Sequence, residues 1–558
     1  MTQPEVLPTL HLEGVSGGEV LVAALAAHGV DVVFGIPGTH NLTLFDAMPR
    51  HGIRVVATTH EQGAGYAADG YARTSHRPGV AVVTSGPAVY NAATAMAQAY
   101  SDSSPVLLVS PGMPRTLPAG TAGTGFLHEA KDQHGVMDRV AEISLRAESH
   151  QEIVDVVDQA FLRMRGGRPR PVHVEVPLDL LEERGDAVVQ MTEIMPWSPP
   201  YPGAVARAAD VLLAAERVVV VAGGGASLAS EHLTALAELL GAPVVTTING
   251  TGVVPSDHPL GLGSRLGLRP VHDAVDAADV LLVVGSELGQ SDTFLGPLAP
   301  RGTVVRIDVD GRMADVNVAS DVMIVGHAVE GLSALRHELA TRGLTEPRAI
   351  APWVVELREA AQQAARESGA RWMPWIDALQ TALDDDAVIA TDNAMCVYYG
   401  AIPNLVVRRP SSLHFPTGFG TLGYTVPVAI GAALAAPDRQ VVGISGDGGL
   451  LFTVTELATA AAERLPVAVI VFDNGGYGEI RNEMLDRGEV PVAVAAPPRD
   501  LVLLARALGC TGVAVESPHE LAAEVRDART RTAPTVIVVP ELPRPLHSTD
   551  QTGMKEAP

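Results

Sequence analysis

Residues 441–480 constrain the fold of this chain more than any other stretch. Two apolar runs, 441–444 and 467–472, are predicted to form buried strands, with an amphipathic helix between them at about 453–463. Each run ends in a polar, glycine-rich sequence. Because the carboxyl ends of parallel strands lie at one edge of an open sheet, this pattern predicts a βαβ unit whose two turns share a ligand-binding edge.

Two side chains with hard oxygen atoms lie at this edge. Asp447 is part of the sequence SGDGG after the first run, and Asn474 opens the sequence NGGYG after the second, 27 residues later. Glycines in these turns let the backbone approach a ligand closely. Carboxylate and amide oxygens suit Mg²⁺, and exposed main-chain amides suit a phosphate. The pattern therefore predicts a site for a phosphorylated ligand and a metal ion.

The spacing of GDG and Asn resembles the signature of the thiamine diphosphate (ThDP) enzymes. In that family the Asp, the Asn and a carbonyl two residues beyond the Asn hold the Mg²⁺ that anchors the diphosphate. The resemblance implies that Asp447, Asn474 and Gly476 hold the metal. Asp473 is a departure, because the family often has a second Asn there. The other residues implied around the diphosphate are Gly446, Gly448, Gly449, Tyr477 and Gly478.

The chain length fits the domain organisation that this resemblance implies. A chain of 558 residues has room for about three domains. The expected fold class is α/β, with three doubly wound domains. They are a pyrimidine-binding domain at 10–190, a Rossmann-like middle domain at 203–345 and a diphosphate-binding domain at 365–542.

Composition excludes several other classes of protein. The formal net charge of −25 argues against nucleic acid as a partner. No apolar run approaches the ~20 residues of a membrane helix, and the N-terminal sequence lacks the basic and apolar segments of a signal peptide. Cys396 and Cys510 are too few for a disulfide framework. We therefore expect a cytoplasmic protein that acts on a small molecule.

Glu61 is the main candidate in the first domain. It begins the predicted helix in HEQGAGYAADGYAR, where an acidic residue by itself would only stabilise the helix N-terminus. The segment resembles the one that carries the cofactor-activating Glu in ThDP enzymes. The next strand end, SGP, and the Asn that follows it also resemble the family, although Ala88 replaces a common Gly. The resemblance implies that Ser85 and Asn91 contact the cofactor.

The middle domain is expected to be a scaffold without a flavin. It contains the triple glycine 223–225 after a predicted strand at 218–222, which alone is weak evidence for a dinucleotide site. Acetolactate synthases bind FAD in this domain, with an Arg-bearing stretch after the strand that corresponds to 280–284. This chain has SELGQSD at 286–292 instead. The absence of that Arg predicts that FAD does not bind.

The third domain carries a second glycine loop. In the sequence GFGTLGYTVPVAIGAALAA at 418–436, a glycine loop leads into a packed helix. In ThDP enzymes this loop holds the aminopyrimidine ring, and a bulky apolar residue bends the cofactor into a V shape. The resemblance implies that Leu422 is this residue, that the carbonyl of Gly420 accepts from the pyrimidine amino group, and that Asn393 lies at the cofactor.

The resemblance also implies a mechanism and a partner. The carboxylate of Glu61 would favour the imino tautomer of the pyrimidine, whose nitrogen removes the C2 proton and leaves a ylide. The ylide attacks a 2-oxo acid, CO₂ departs, and an enamine remains. In the family, the Glu-bearing domain of one subunit faces the diphosphate-bearing domain of another. A homodimer or homotetramer is therefore expected.

Two histidines are candidates for proton transfer. His40 ends FGIPGTH, which is similar to a benzaldehyde lyase stretch that places a His near the reacting carbon. His128 lies in GFLHEAKDQ, which aligns with an acetolactate synthase stretch containing a Gln-Glu pair. Either imidazole could transfer protons near neutral pH, and either could also be structural.

The substrate is the least constrained part of the prediction. The patterns LHE-x-KDQ, LG-x-x-D and NGGYGEIR resemble decarboxylases of 5-guanidino-2-oxopentanoate (2-ketoarginine). Glu129 and Glu479 are candidate partners for the guanidinium, because carboxylates pair with its planar donors. One alternative is an acetolactate synthase-like carboligase that joins two 2-oxo acids. Another is a non-catalytic protein of the same fold, against which the presence of Glu61, Asp447 and Asn474 argues.

Overall fold

The computed structural model describes residues 9–117, 123–193, 197–497 and 499–541. The chain contains three sheets of parallel β-strands with α-helices between the strands. The first sheet has the strand order β3-β2-β4-β5-β7-β6, and β1 pairs with β8 in a small antiparallel sheet. The strands are β1 Leu10–Ser16, β2 Val32–Gly35, β3 Arg54–Ala57, β4 Gly79–Val82, β5 Val106–Gly112, β6 Ile143–Arg146, β7 Val172–Pro177 and β8 Arg184–Val189. The α-helices here are Gly17–Ala27, Leu42–Ala47, Glu61–Ser75, Pro87–Ser101, Gln133–Val140, His150–Arg165 and Leu178–Glu182.

The middle sheet has the order β11-β10-β9-β12-β13-β14, in which the direction of winding reverses between β9 and β12. Its strands are β9 Val218–Ala222, β10 Val244–Thr246, β11 Gly261–Gly263, β12 Val280–Val284, β13 Thr303–Asp308 and β14 Val322–Val325. Its α-helices are Pro202–Ala214, Ser230–Leu240, Arg269–Asp276 and Ala328–Thr341. These strands are mostly apolar and buried, as expected of a parallel sheet covered on both faces, although β13 contains Arg306 and Asp308.

The third sheet has the order β16-β15-β17-β18-β20-β19. Its strands are β15 Val388–Thr391, β16 Leu413–His414, β17 Val441–Gly446, β18 Ala468–Asp473, β19 Thr511–Ala514 and β20 Thr535–Pro540. The α-helices are Pro352–Ser368, Met373–Gln380, Ile402–Asn404, Thr425–Ala435, Asp447–Leu450, Glu456–Ala462, Gly478–Asp486, Leu501–Ala507 and Pro518–Ala528. The predicted fold class, α/β with three doubly wound domains, is confirmed.

The helix predicted at about 453–463 differs from the structure. The chain forms one short helix, Asp447–Leu450, and then a second, Glu456–Ala462. The hydroxyl of Thr453 donates to the carbonyl of Gly423 at 2.6 Å instead of facing solvent on a continuous helix. β-Branched residues between the two segments also lower the helix propensity there. The break places Asp447 in the first turn of a helix directly after β17.

The first and third domains of the chain pack through two helices, Glu61–Ser75 and Thr425–Ala435. Their backbones approach so closely that a Cβ on Gly431 would lie 1.9 Å from the carbonyl oxygen of Ala67. A Cβ on Gly70 would lie 2.3 Å from the carbonyl oxygen of Val428. Glycine is therefore required on both sides of this contact. Across the described ranges, no helix is long and apolar enough to span a membrane.

Candidate active site

The predicted metal ligands lie together at the carboxyl ends of two neighbouring strands. Asp447 follows β17 and Asn474 follows β18, and these strands pair in parallel. The backbone N–H of Asn474 donates to Oδ1 of Asp447 at 3.3 Å. Asp447 is fully buried, and burial together with the nearby Asp473 raises its pKa above the usual carboxyl range. A bound cation would relieve this cost of burying the carboxylate.

Two observations show that a cation fits this edge. The side-chain oxygen of Asn474 is buried and accepts no hydrogen bond from any residue in the described part of the chain. Buried acceptors rarely remain unsatisfied, so this oxygen is available to a ligand. The guanidinium of Arg499 pairs with Oδ2 of Asp447 and lies 3.7 Å from Oδ1 of Asp473. The position beside Asp447 therefore already attracts a positive charge.

Glycines line the same edge, where side chains would obstruct a ligand. A Cβ on Gly448 would lie 3.1 Å from the carbonyl oxygen of Gly476 and from the ring of Tyr477. A Cβ on Gly449 would lie 2.9 Å from the carboxylate of Asp392. Gly476 has a φ of +142°, which residues with a side chain rarely adopt. The edge thus has backbone without side chains next to the two oxygen ligands, and these residues fit a Mg²⁺–diphosphate group.

Residues 417–423 contain the glycine loop that was predicted to hold the aminopyrimidine ring, and we call this segment the pyrimidine loop. Gly420 has a φ of +70° and is exposed, whereas Leu422 is half-buried. Asn393 holds this loop: its Nδ2 donates to the carbonyl of Thr421 at 2.8 Å, and its Oδ1 accepts from the hydroxyl of Tyr398 at 2.9 Å. Both ends of the Asn393 amide are thus bound to protein, and its place at the cofactor stays a prediction.

Glu61 occupies the position expected for a group that acts at the surface of the first domain. It is the first residue of helix Glu61–Ser75 and is partly exposed. Its Oε2 accepts from Nδ2 of Asn91 at 2.9 Å. Asn91 lies one turn into helix Pro87–Ser101, so this bond fixes the direction of the carboxylate. Asn91 therefore orients Glu61.

The segment before Glu61 is attached to the third domain through a buried carboxylate. Glu456 has no exposed surface, and its Oε1 accepts from the backbone N–H of Thr59 at 3.1 Å and of His60 at 3.0 Å. The hydroxyl of Thr459 donates to its other oxygen at 2.7 Å. A Cβ on Gly63 would lie 2.2 Å from Oε1 of Glu456. Glu456 thus fixes the position of the first turn of helix Glu61–Ser75 against the third domain.

Both predicted histidines, His40 and His128, contact Ser85, which is also a predicted site residue of the first domain. Nδ1 of His40 lies 2.6 Å from Oγ of Ser85, and Nδ1 of His128 lies 3.2 Å from the same oxygen. The two rings are edge to face, with centroids 4.9 Å apart. Burial, with a contribution from His128, lowers the pKa of His40, so His40 is neutral near pH 7. Ser85 thus joins the two imidazoles, and its contact with the cofactor stays a prediction.

Gln133 supports the turn at Ser85 from behind. Its Oε1 accepts from the backbone N–H of Gly86 at 2.7 Å, and its Nε2 donates to Oε2 of Glu175 at 2.7 Å. Gly86 has a φ of +63°, and a Cβ there would lie 2.8 Å from the Cβ of His128. A glycine is therefore required where the turn passes His128.

The two predicted guanidinium partners are in different environments. Glu129 accepts from the backbone N–H groups of Thr124 at 3.1 Å and Gly125 at 3.0 Å, so both of its oxygens are bound within its own loop. Glu479, in the first turn of helix Gly478–Asp486, accepts from the hydroxyl of Tyr399 at 2.7 Å. Burial raises the pKa of Glu479, and a cation beside it would stabilise its charged form.

The middle domain contributes a cavity of about 1130 Å³ where its sheet reverses direction. Residues after β9 and β12 line it, including Gly224, Gly225 and Asp292. Asp447 and Glu61 are not among its described lining residues. The stretch 286–292 after β12 contains no Arg. The absence of FAD stays a prediction.

The structure also contains site residues that the sequence did not single out. These residues include Glu456, Arg499 and Gln98. Gln133 was noted in the sequence only as the last residue of the LHE-x-KDQ pattern. A buried Glu, Gln or Arg has no local pattern that separates it from an exposed one. Only the KDQ sequence that ends at Gln133 carried a signal, through its resemblance to related stretches.

Comparison with protein families gives one result along the whole chain. Residues 15–136 match the model "Thiamine pyrophosphate enzyme, N-terminal TPP binding domain". Residues 205–335 match the central domain of the same enzymes, and residues 396–539 match their C-terminal TPP binding domain. Glu61 lies in the first match, and both Asp447 and Asn474 lie in the last.

Three curated proteins are similar over nearly their full length. The chain is 38% identical to the probable 2-ketoarginine decarboxylase AruI of Pseudomonas aeruginosa, across 96% of this chain and 95% of that protein. It is 31% identical to a probable acetolactate synthase large subunit of Methanocaldococcus jannaschii, across 94% and 91%. It is also 31% identical to the acetolactate synthase isozyme 3 large subunit of Escherichia coli, across 93% and 92%.

Proposed function

The chain belongs to the thiamine pyrophosphate enzymes, and we propose that it decarboxylates a 2-oxo acid with a cationic tail, 2-ketoarginine being the first candidate. The observation that carries the substrate is the 38% identity to a probable 2-ketoarginine decarboxylase over 96% of the chain. The half-buried carboxylate of Glu479, five residues beyond the metal ligand Asn474, supports it.

The residues have separate tasks in this reaction. Asp447, Asn474 and the carbonyl of Gly476 would hold the Mg²⁺, and the glycines around them would let the diphosphate reach the backbone. When bound, ThDP supplies the carbon nucleophile and accepts the electron pair that CO₂ leaves behind. Glu61, oriented by Asn91, holds or releases a proton at the pyrimidine ring. His40 or His128, which share the hydroxyl of Ser85, would act as the general acid that supplies the one proton needed after CO₂ leaves.

The environment of Glu479 explains the choice of a cationic tail. Glu479, Glu483 and Asp486 lie on one helix, and the last two disfavour ionisation of the first. A guanidinium would offset this repulsion and offer paired donors to a carboxylate. An unpaired guanidinium in the same place would cost several kcal/mol to bury. Glu129 is the weaker partner, because its oxygens already bind its own loop.

Carboligation is the second candidate. The acetolactate synthases of M. jannaschii and E. coli are 31% identical to the chain across more than nine-tenths of its length. A carboligase would retain the product carbon at the cofactor until a second 2-oxo acid reacted with it. The two candidates share the metal and Glu61, so they differ only in substrate and product.

A panel of single 2-oxo acids distinguishes them. We expect CO₂ release to be fastest with 2-ketoarginine, with the guanidino aldehyde as product. Pyruvate and an apolar oxo acid of similar length serve as controls. Faster turnover of pyruvate, with accumulation of acetolactate, would replace the decarboxylase by the carboligase.

Removing the charge of Glu479 tests the substrate contact itself. Glu479→Gln keeps the shape and the bond to Tyr399 but loses the anion, so KM for 2-ketoarginine should rise by at least about tenfold. KM for an apolar oxo acid should stay within about twofold. Glu483→Gln, one turn further along the helix, is the matched control: it removes a charge that disfavours ionisation of Glu479, so it should not raise KM for either substrate. Equal effects of Glu479→Gln on both substrates would remove Glu479 from the substrate site.

We also propose that two chains form the working unit, in the cytoplasm. Within the described residues of one chain, the hydrogen-bond partner of Glu61 is Asn91. Phe419 in the pyrimidine loop and Phe452 beside it are 54% and 53% exposed. A second copy would cover them. Sedimentation should give a dimer or tetramer, and a monomer that is active at nanomolar concentration would exclude this arrangement.

The two cysteines support the cytoplasmic location. Both Cys396 and Cys510 are free and buried, which fits a reducing compartment.

A further inference from the structure

The pyrimidine loop is held by Asn393 of its own domain and also by residues outside that domain. We propose that Gln98, Asp102 and Asn249 are positioning residues that fix this loop in the shape that accepts the cofactor ring. The inference rests on the proposed function, because it assumes that the loop faces ThDP. It adds that the first and middle domains of the same chain set the fit of the pyrimidine end, independently of the metal end.

Gln98 binds the middle of the loop. It has no exposed surface, and its Oε1 accepts from the backbone N–H of Thr421 at 3.2 Å and from the Thr421 hydroxyl at 3.0 Å. Its Nε2 donates to Oδ2 of Asp102 at 2.8 Å. Every polar atom of the Gln98 side chain therefore has a partner, and two of its three bonds go to one residue of the loop.

Asp102 binds the start of the loop, and both of its oxygens face donors. Its Oδ1 accepts from the hydroxyl of Thr417 and from Nδ2 of Asn249 at 3.4 Å. Its Oδ2 accepts from Gln98 and lies 3.4 Å from Nη1 of Arg73. The side chain is fully buried. An amide at this position would turn an N–H₂ group toward a donor on whichever side it faced.

Asn249 brings the middle domain into the same contact. Its Nδ2 also donates to Oγ1 of Thr417 at 3.3 Å, and its Oδ1 accepts from Nη2 of Arg73 at 2.7 Å. Arg73 in turn donates to the hydroxyl of Tyr424, directly after the loop, at 2.9 Å. The loop is therefore fixed at its start, middle and end by groups from two other domains.

The composition of the loop explains why it needs these contacts. Gly420 and Gly423 have φ values of +70° and +82°, and residues 418–420 are exposed. A glycine-rich segment loses more conformational entropy than others when it is ordered. Without fixed points at Thr417 and Thr421, binding of the cofactor would have to supply that ordering. The metal edge does not depend on this, because Asp447 and Asn474 follow two core strands.

Two ligands separate the two ends of the site. ThDP with Mg²⁺ needs both the metal edge and the pyrimidine loop, whereas inorganic diphosphate with Mg²⁺ needs only the metal edge. Calorimetric titration of the cofactor-depleted full-length protein should show that Gln98→Met and Asp102→Asn weaken ThDP binding by at least about tenfold, the equivalent of one lost buried hydrogen bond. Diphosphate binding should change by less than about twofold. Asn249→Ala should act in the same direction with a smaller effect.

A paired exchange keeps the test valid if a single variant folds poorly. Gln98→Glu alone places a carboxylate oxygen against Asp102, and combining it with Asp102→Asn restores a donor opposite that oxygen. The double variant should recover most of the ThDP affinity that each single variant loses. Gln440→Met is the matched control: Gln440 is also buried and bonded at both ends, to Asp384 and Ala382, but lies away from the loop.

The outcomes are distinct. Equal weakening of ThDP and diphosphate in the Gln98 and Asp102 variants, or no recovery in the double variant, would show that these residues serve general stability and overturn the inference. Unchanged ThDP affinity would overturn it as well. If the wild-type protein bound diphosphate and Mg²⁺ but not ThDP, the proposed function would fail instead.

Discussion

The two halves of the site are built in opposite ways. The half at Asp447 consists of backbone, glycines and two oxygen ligands at the ends of adjacent strands, β17 and β18. The half at Glu61 consists of side chains oriented by other side chains: Asn91 orients Glu61, and Ser85 joins His40 and His128. The first arrangement suits holding a charged group in place, and the second suits moving protons.

This difference separates binding from activation. A metal–diphosphate site needs a fixed charge and room for the ligand, which core strands and glycines supply. A proton-transfer site needs groups whose protonation can change near neutral pH, and the imidazoles of His40 and His128 are such groups. Variants in the first half should therefore remove the cofactor, whereas variants in the second should leave it bound but inactive.

Loss of the metal carboxylate should have the largest effect. Asp447→Ala removes a buried anion that Mg²⁺ would need, and it leaves Asp473, at 3.7 Å, as the remaining carboxylate beside Arg499. We expect ThDP retention after gel filtration to be abolished. Asp473→Ala is the control, because that residue lies beside the ligand, and it should retain most of the cofactor. Unchanged ThDP affinity in Asp447→Ala would remove this residue from the metal site.

Loss of the activating carboxylate should come next. Glu61→Gln keeps the shape and the contact with Asn91 but cannot ionise. ThDP should still bind, and exchange of its C2 proton with solvent should slow by orders of magnitude. Exchange at the wild-type rate would mean that Glu61 only stabilises the start of its helix.

The histidines should affect a later step. Removing a general acid typically costs about 10²–10⁴-fold in rate, so His40→Ala and His128→Ala should lower kcat by a factor in that range. C2 exchange and ThDP affinity should remain at wild-type values. Reduced C2 exchange in either variant would place that histidine in cofactor activation.

Glu456 connects the first and third domains of one chain, and a change at this residue should have the smallest effect on catalytic activity. Glu456→Ala leaves the buried N–H groups of Thr59 and His60 unsatisfied, at a cost of about 1–3 kcal/mol for each. The thermal midpoint of the cofactor-free protein should fall. Glu456→Gln keeps an oxygen acceptor and should lose less. Equal midpoints in the wild type and Glu456→Ala would show that this contact does not hold the domains together.

The sequence revealed the first half more completely than the second. Asp447 and Asn474 belong to one βαβ unit, so periodicity and spacing predict their meeting without knowledge of the rest of the chain. The bounds of core strands such as β9 and β15 were also predictable, because buried parallel strands are continuous apolar runs. The antiparallel pair of β1 and β8 was not foreseen, since its strands are mostly exposed or half-buried and lack the continuous apolar run of a buried strand.

The second half depends on contacts between distant segments. His40, Ser85 and His128 lie in three separate segments of the chain. No local sequence pattern predicts that the hydroxyl of Ser85 contacts both imidazoles. Gln98 and Glu456 are ordinary helical residues in the sequence, and only the packing of domains shows that they are buried. Resemblance to known enzymes identified Glu61 and Asn91, but not the hydrogen bond between them. It also did not identify Gln98, Asp102 and Asn249, which hold the pyrimidine loop.

The most direct test measures ThDP affinity and C2 proton exchange side by side in the wild type, Asp447→Ala and Glu61→Gln. If one half binds and the other activates, Asp447→Ala should lose affinity, whereas Glu61→Gln should keep affinity and lose exchange. Both variants should fold, as judged by circular dichroism. Loss of affinity in Glu61→Gln, or cofactor retained by Asp447→Ala, would contradict the division of the site into a binding half and an activating half.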